Sequence, residues 1–121
     1  MKHNSAFLRL VEQARRRIFE CCVEEVIASL DRGELFHFLD IREDHEFAVD
    51  HARGACHLSK GTLERDIETV VPDKEAAIVL YCGGGFRSAL AADALQEMGY
   101  TNVRSMKGGI RAWREAGYPM E

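Results

Sequence analysis

Cys82 closes a short apolar run, Ala77-Ile78-Val79-Leu80-Tyr81, and leads into Gly83-Gly84-Gly85-Phe86-Arg87-Ser88. The run has the character of a buried strand, and the sequence predicts a helix opening at Ser88. A strand that delivers a thiol into a glycine loop capped by a helix start is suited to holding charge on sulfur. Gly83, Gly84 and Gly85 let the backbone turn sharply and bring its N–H groups close to an anion. The helix start adds unpaired N–H groups and the positive end of its dipole. Arg87 adds a permanent positive charge, and guanidinium pairs well with sulfonate-like oxygens. Together these features favour the thiolate, the nucleophilic form of cysteine. Residues 82–88 are therefore the candidate active site, with Cys82 as nucleophile and Ser88 as N-cap of the helix that follows.

Cys21, Cys22 and Cys56, the other three cysteines, have no comparable surroundings. They read as free thiols, with Cys22 at a helix start, in a chain that needs no disulfide staples. His37, His45, His51 and His57 show no ligand spacing, so neither a metal nor a cofactor is expected. Asp40 would be costly to bury unpaired and must meet Arg42, loop amides or another donor; the two are expected to brace the site. Trp113 reads as a core anchor for the last helix.

The 121 residues suit one domain, and 46% hydrophobic content fits an ordinary globular core. A net charge of −4 argues against nucleic acid as a partner. Arg15, Arg16 and Arg17, the one basic run, lie on a helical pattern with Glu12 and Glu20 nearby and read as a solvated face. No segment approaches the roughly 20 apolar residues of a membrane span. The apolar run after Lys2 is too short for a signal peptide, which makes a cytoplasmic protein the expectation.

These residues are positioned by alternating elements. Phe7, Leu10, Val11, Ala14 and Ile18 share one face of an amphipathic helix over 5–17. Strands are expected near 18–20, 36–41, 55–58, 78–81 and 102–106. Helices are expected near 23–31, 43–49, 61–69, 88–98 and 110–116. This order implies an α/β fold with a mainly parallel sheet and helices on both faces. Ligands bind such sheets at the carboxyl ends of the strands, where Cys82 stands.

Four motifs in order give the chain a resemblance to single-domain rhodaneses. Phe38-Leu39-Asp40-Ile41-Arg42-Glu43 resembles that family's strand ending in Asp-Val-Arg. Glu46-Phe47 through His51-Ala52-Arg53-Gly54-Ala55 resembles its His-Ile-Pro-Gly-Ala stretch, with Ala52-Arg53 in place of Ile-Pro. Cys82 through Ser88 resembles the active loop, and Gly108-Gly109-Ile110 with Trp113 resembles the C-terminal signature. The resemblance implies a five-stranded sheet, a rhodanese-like domain over 18–121 and a helical extension over 1–17. It also implies sulfur transfer from thiosulfate or an organic persulfide to a thiol acceptor, small or protein-borne, through a persulfide on Cys82. Gly83, Gly84, Gly85, Phe86, Arg87 and Ser88 would bind the substrate, and Ser88 would offer its hydroxyl to the sulfur.

Two rival readings start from the same loop. A phosphatase or arsenate reductase joins Cys to Arg through an anion loop, but one residue longer than the four between Cys82 and Arg87. A non-catalytic binding module of the same fold generally lacks the cysteine, which this chain keeps. With Gly-Gly-Gly-Phe before Arg87, the pocket is expected to be roomy and apolar with one cation.

Overall fold

Alternate residues of the strand Ile78–Tyr81 pack into different layers, and this alternation aims Cys82. Ile78, Leu80 and Cys82 join Leu39, Ile41, Leu63, Ile67, Ala92, Leu95 and Val103 in one core. Val79 and Tyr81 turn the other way, into a core with Phe38, Met106, Ile110 and Trp113. Side chains on a strand alternate between faces, so this run must lie inside a sheet covered on both sides.

The computed structural model describes residues 3–121. Met1 and Lys2, the start of the expected extension, lie outside the described residues. In chain order the elements are α1 (Ser5–Arg15), β1 (Phe19–Cys21), α2 (Val23–Asp31), β2 (His37–Asp40), α3 (Asp44–Val49), β3 (Cys56–His57), a 3₁₀ turn (Lys60–Thr62), α4 (Leu63–Val70), β4 (Ile78–Tyr81), α5 (Phe86–Glu97), β5 (Val103–Met106) and α6 (Gly109–Glu115). The strands form one sheet in the order β1-β5-β4-β2-β3. All four pairings are parallel. β4 is central, and Cys82 follows its carboxyl end.

Helices α4 and α5 supply the first core, while α2 and α6 supply the second. In the second, Phe38 meets the rings of Tyr81 and Trp113 at centroid distances of 5.2 and 5.6 Å. Trp113 is fully buried and donates its Nε1–H to Pro119 O at 2.9 Å, so it anchors α6 as expected. Helix α1 lies on α5 and buries Val11 and Ala14.

Several boundaries differ from expectation. Helix α1 stops at Arg15 because the Arg16 and Arg17 amides bond three residues back, to Gln13 O and Ala14 O. Strand β3 has only two residues, and the helix expected at 61 is preceded by the 3₁₀ turn. The shift that matters most is at α5. It begins at Phe86 because Gly85, at φ 96°, takes the N-cap position in the left-handed region.

Candidate active site

Ser88 is consequently not the helix cap. It sits in the first turn of α5, fully buried, with its side chain turned under the loop. Its hydroxyl lies 3.5 Å from Cys82 Sγ and shares a 2.8 Å hydrogen bond with Ser105 Oγ. The amides of Gly85 and Ser88 donate to the same sulfur at 3.2 and 3.4 Å. Cys82 is 1% exposed, so these donors act on sulfur with little competition from water. Ser105 is a site residue that the sequence reading missed. Its signal was a serine on the same strand face as Val103, a position where an apolar residue is the rule.

The opposite edge of the loop is fixed through its carbonyls. Ile110 N–H donates to Cys82 O at 2.9 Å, and Arg111 N–H donates to Gly83 O at 3.1 Å. The first turn of α6 thus takes the loop's acceptors, while the amides at 85 and 88 face the sulfur. Close approach requires Gly109, whose φ is 54°. A Cβ there would stand 2.7 Å from Gly83 O and nearer still to Cys82 O.

Arg87 leans over Gly83, where an added Cβ would lie 3.3 Å from its Nη2. Its Nη1 meets Glu46 Oε1 at 3.4 Å, and both side chains are about one-third exposed (34% and 31%). Glu46 is placed by α3, whose first turn it closes by accepting the Glu43 amide at 3.0 Å. Burial works against the Glu46 charge, but that amide and Arg87 hold its carboxyl below the usual carboxylate range.

Asp40 and Arg42 brace the neighbouring strand end. Asp40 accepts from the Arg42 amide (2.9 Å), from both Nε and Nη2 of Arg42, and from the Tyr81 hydroxyl (2.6 Å). Arg42 Nη2 also donates to Asp50 O at 2.7 Å, and Tyr81 Oη accepts the Ala52 amide at 3.1 Å. Burial and the bond to Asp40 push the Tyr81 phenol up. Burial opposes the Arg42 charge, but Asp40 more than offsets it and holds the guanidinium above its usual value. No fully buried side-chain nitrogen or oxygen in this knot is left without a partner.

The model of the rhodanese-like domain matches residues 23–116. The chain belongs to the rhodanese-like family. It is similar to the thiosulfate sulfurtransferase PspE of Escherichia coli, 35% identical over 75 residues, covering 62% of this chain and 71% of that protein. A similar likeness, 35% over 82 residues, links it to the thiosulfate sulfurtransferase GlpE of Actinobacillus pleuropneumoniae, covering 68% and 74%. Among solved structures, a Rhodopseudomonas palustris protein of unknown function, described as a possible tyrosine phosphatase, superposes with a TM-score of 0.89 at 29% identity. That likeness covers all of this chain, α1 included, and 98% of the other.

In this rhodanese-like domain Cys82 opens onto a cleft of about 980 Å³. Loop residues Gly83, Gly84, Phe86 and Arg87 line it, with Arg42 and Glu46 on one side and α6 on another. His3 and Phe7 from the amino-terminal segment complete the wall. The expectation of a single cation is corrected here. Arg42, Arg111 and Arg114 join Arg87 in the lining, because α6 and the β2 end converge on the loop in space, though not in sequence. The basic run is likewise only partly solvated: Arg15 lies 5.1 Å over the Phe86 ring, and Arg17 pairs with Asp93 at 2.7 Å.

The other cysteines stand apart from this cleft. Cys21 is buried, and burial pushes its thiol up to about 11. It faces a separate hollow of about 190 Å³ between α2 and the amino ends of β4 and β5. Cys22 caps α2 and shares Glu25 with its own amide. Cys56 is exposed on the edge strand β3, two strands from β4 and hence roughly 10 Å away across the sheet. A disulfide requires Cα atoms within about 7 Å. Among the described residues no acidic, histidine and cysteine groups cluster as metal ligands, and no helix is long and apolar enough to cross a membrane.

Proposed function

We propose that this rhodanese-like protein is a sulfurtransferase that carries sulfane sulfur on Cys82. The observation that carries the reading is the buried Sγ, which accepts from two amide N–H groups and lies 3.5 Å from the Ser88 hydroxyl oxygen. The Cys82 thiolate attacks the outer sulfur of thiosulfate or an organic persulfide. The donor's S–S bond breaks, and sulfite or a thiolate leaves with the electron pair. Cys82 is left as a persulfide whose negative outer sulfur the loop and Arg87 stabilise. A thiolate acceptor, or cyanide in an assay, then attacks that outer sulfur and restores the Cys82 thiolate. One difficult transfer becomes two easier ones, and preorganised donors face the charge at both. No base is required once the thiol is ionised, and no redox cofactor is consumed. Four free cysteines, one of them nucleophilic, suit a reducing compartment such as the cytoplasm.

A phosphatase reading starts from the structural neighbour described as a possible tyrosine phosphatase. Loop length favours sulfur. Four residues between Cys82 and Arg87 close a ring suited to one sulfur atom, and a tetrahedral phosphate needs a wider one. Intact-mass analysis after parallel exposure to thiosulfate, mercaptopyruvate and glutathione persulfide tests the proposal. The wild type should gain one sulfur atom, and Cys82→Ser should gain none while keeping its circular dichroism. Equal gain in both proteins would remove Cys82 from the role. Robust aryl phosphate hydrolysis without sulfur gain would replace the whole reading.

A further inference from the structure

Helix α1 lies before the residues that the family model matches, yet it forms part of the cleft. It is firmly held there. Val11 and Ala14 are buried on α5, Arg17 reaches Asp93 with Nε and Nη2 at 2.9 and 2.7 Å, and Gln96 donates to Arg17 O at 2.6 Å. At its cleft end the His3 ring, just before the helix, lies tilted 4.4 Å from the Phe86 ring, with Phe7 5.3 Å from His3 and 6.3 Å from Phe86. All three rings remain partly exposed around an open cleft. Apolar surface left this way beside a nucleophile is suited to an organic ligand.

Charge defines the other half of that ligand. The whole chain is at −4, but the cleft lining holds four arginines and two glutamates. Arg42 is tied to Asp40 and Arg114 to Asp50. The Arg111 side chain has no carboxylate partner among the described residues, and Arg87 shares only a 3.4 Å contact with Glu46. Arg87 and Arg111 are thus the guanidiniums that an anion entering the cleft can meet.

We propose that α1 is the substrate-selecting wall of the cleft. Phe7 and His3, with Phe86, form an aromatic subsite for the apolar body of an organic sulfur donor whose anionic head faces Arg87 and Arg111. This rests on the sulfurtransferase reading. An organic thiosulfonate fits the description. The Cys82 thiolate takes its outer sulfur, the S–S bond breaks, and the sulfinate leaves with the electron pair. Thiosulfate has no body to place against the wall and uses only the loop.

The test compares benzenethiosulfonate with methanethiosulfonate as donors, with cyanide as common acceptor. Wild type should prefer the aromatic donor in kcat/KM, and Phe7→Ala should reduce that preference by about fivefold or more, the scale of one lost aromatic contact. Leu10, expected on the face shared with Phe7 and Val11, is instead 55% exposed, so Leu10→Ala should leave the preference intact. Calorimetric titration with benzenesulfonate and methanesulfonate gives a readout that needs no turnover. A binding preference that disappears in Phe7→Ala supports the subsite even if the wild type transfers no sulfur, an outcome that would sink only the sulfurtransferase reading. An unchanged preference in Phe7→Ala, or an equal loss in Leu10→Ala, overturns the subsite.

Discussion

Asp40 and Glu46 stand on either side of the turn that leaves β2, and each carries an arginine. Asp40 is fully buried and Arg42 is 4% exposed, joined through several hydrogen bonds and closed by Tyr81. Glu46 and Arg87 keep about one-third of their side chains in solvent and touch once, at 3.4 Å. Isolated charges cannot stay in a core, so the first pair is architecture: neither partner can be removed without stranding the other. Solvent screens the second pair, which costs little to break, and it sits where a substrate's charge would arrive. The same chemistry thus fixes a strand end in one place and leaves an adjustable cation in the other.

The contrast is broken most directly by Asp40→Ala. It leaves the Arg42 guanidinium and the Tyr81 hydroxyl buried without their acceptor, and should cost about 3–5 kcal/mol of stability. Urea unfolding measures it. The matching change, Glu46→Ala, should cost less than about 1 kcal/mol. Equal losses would erase the distinction between the pairs.

Gly109→Ala is the next largest and affects the loop's backbone-held edge. Its methyl group would overlap Cys82 O and Gly83 O, at a φ of 54° that L residues rarely adopt. The loop must shift away from α6, and the amides at 85 and 88 shift with it. Misplacement on this scale lowers turnover by on the order of a hundredfold. Sulfur transfer with thiosulfate and cyanide, compared with the protein's circular dichroism, separates loop damage from unfolding. Activity within twofold of wild type would mean that the α6 contacts do not position the loop.

What the sequence revealed follows from how local each signal is. The strand–cysteine–glycine–helix order and the alternation Ile78, Leu80, Cys82 are local, so the parallel sheet and the place of Cys82 were legible. The partnership of Asp40 with Arg42 was legible because the residues are near neighbours. The N-cap at Gly85 was not: serine is the stronger capping type, and only the left-handed φ of Gly85 moves the helix start. Ser105, Arg111 and Phe7 reach the site from β5, α6 and α1, and no spacing along the chain announces contacts made by packing. Glu46 was seen as part of a motif, but its meeting with Arg87 depends on where α3 lands.

The smallest effect, and the one that sharpens the comparison most, is that of Glu46→Gln. Glutamine can still accept the Glu43 amide, so α3 should keep its first turn while the site loses one negative charge. Arg87 then faces the cleft unopposed, and the KM for thiosulfate should fall about threefold at low salt, with a smaller change at high salt. The sign of the pH dependence follows from the lowered carboxyl of Glu46. A group whose folded value lies below its unfolded value, about 4.3 for glutamate, stabilises the fold above that unfolded value. It loses the contribution as pH falls through the folded value. The difference between Glu46→Gln and wild type should therefore be constant from about pH 6 to 8 and shrink only in acid, below the ordinary carboxylate range. Thiosulfate KM and urea midpoints, both measured across that range, check it. A difference that instead changed near neutrality would assign the effect to another group, and Glu46 would no longer be the residue that restrains Arg87.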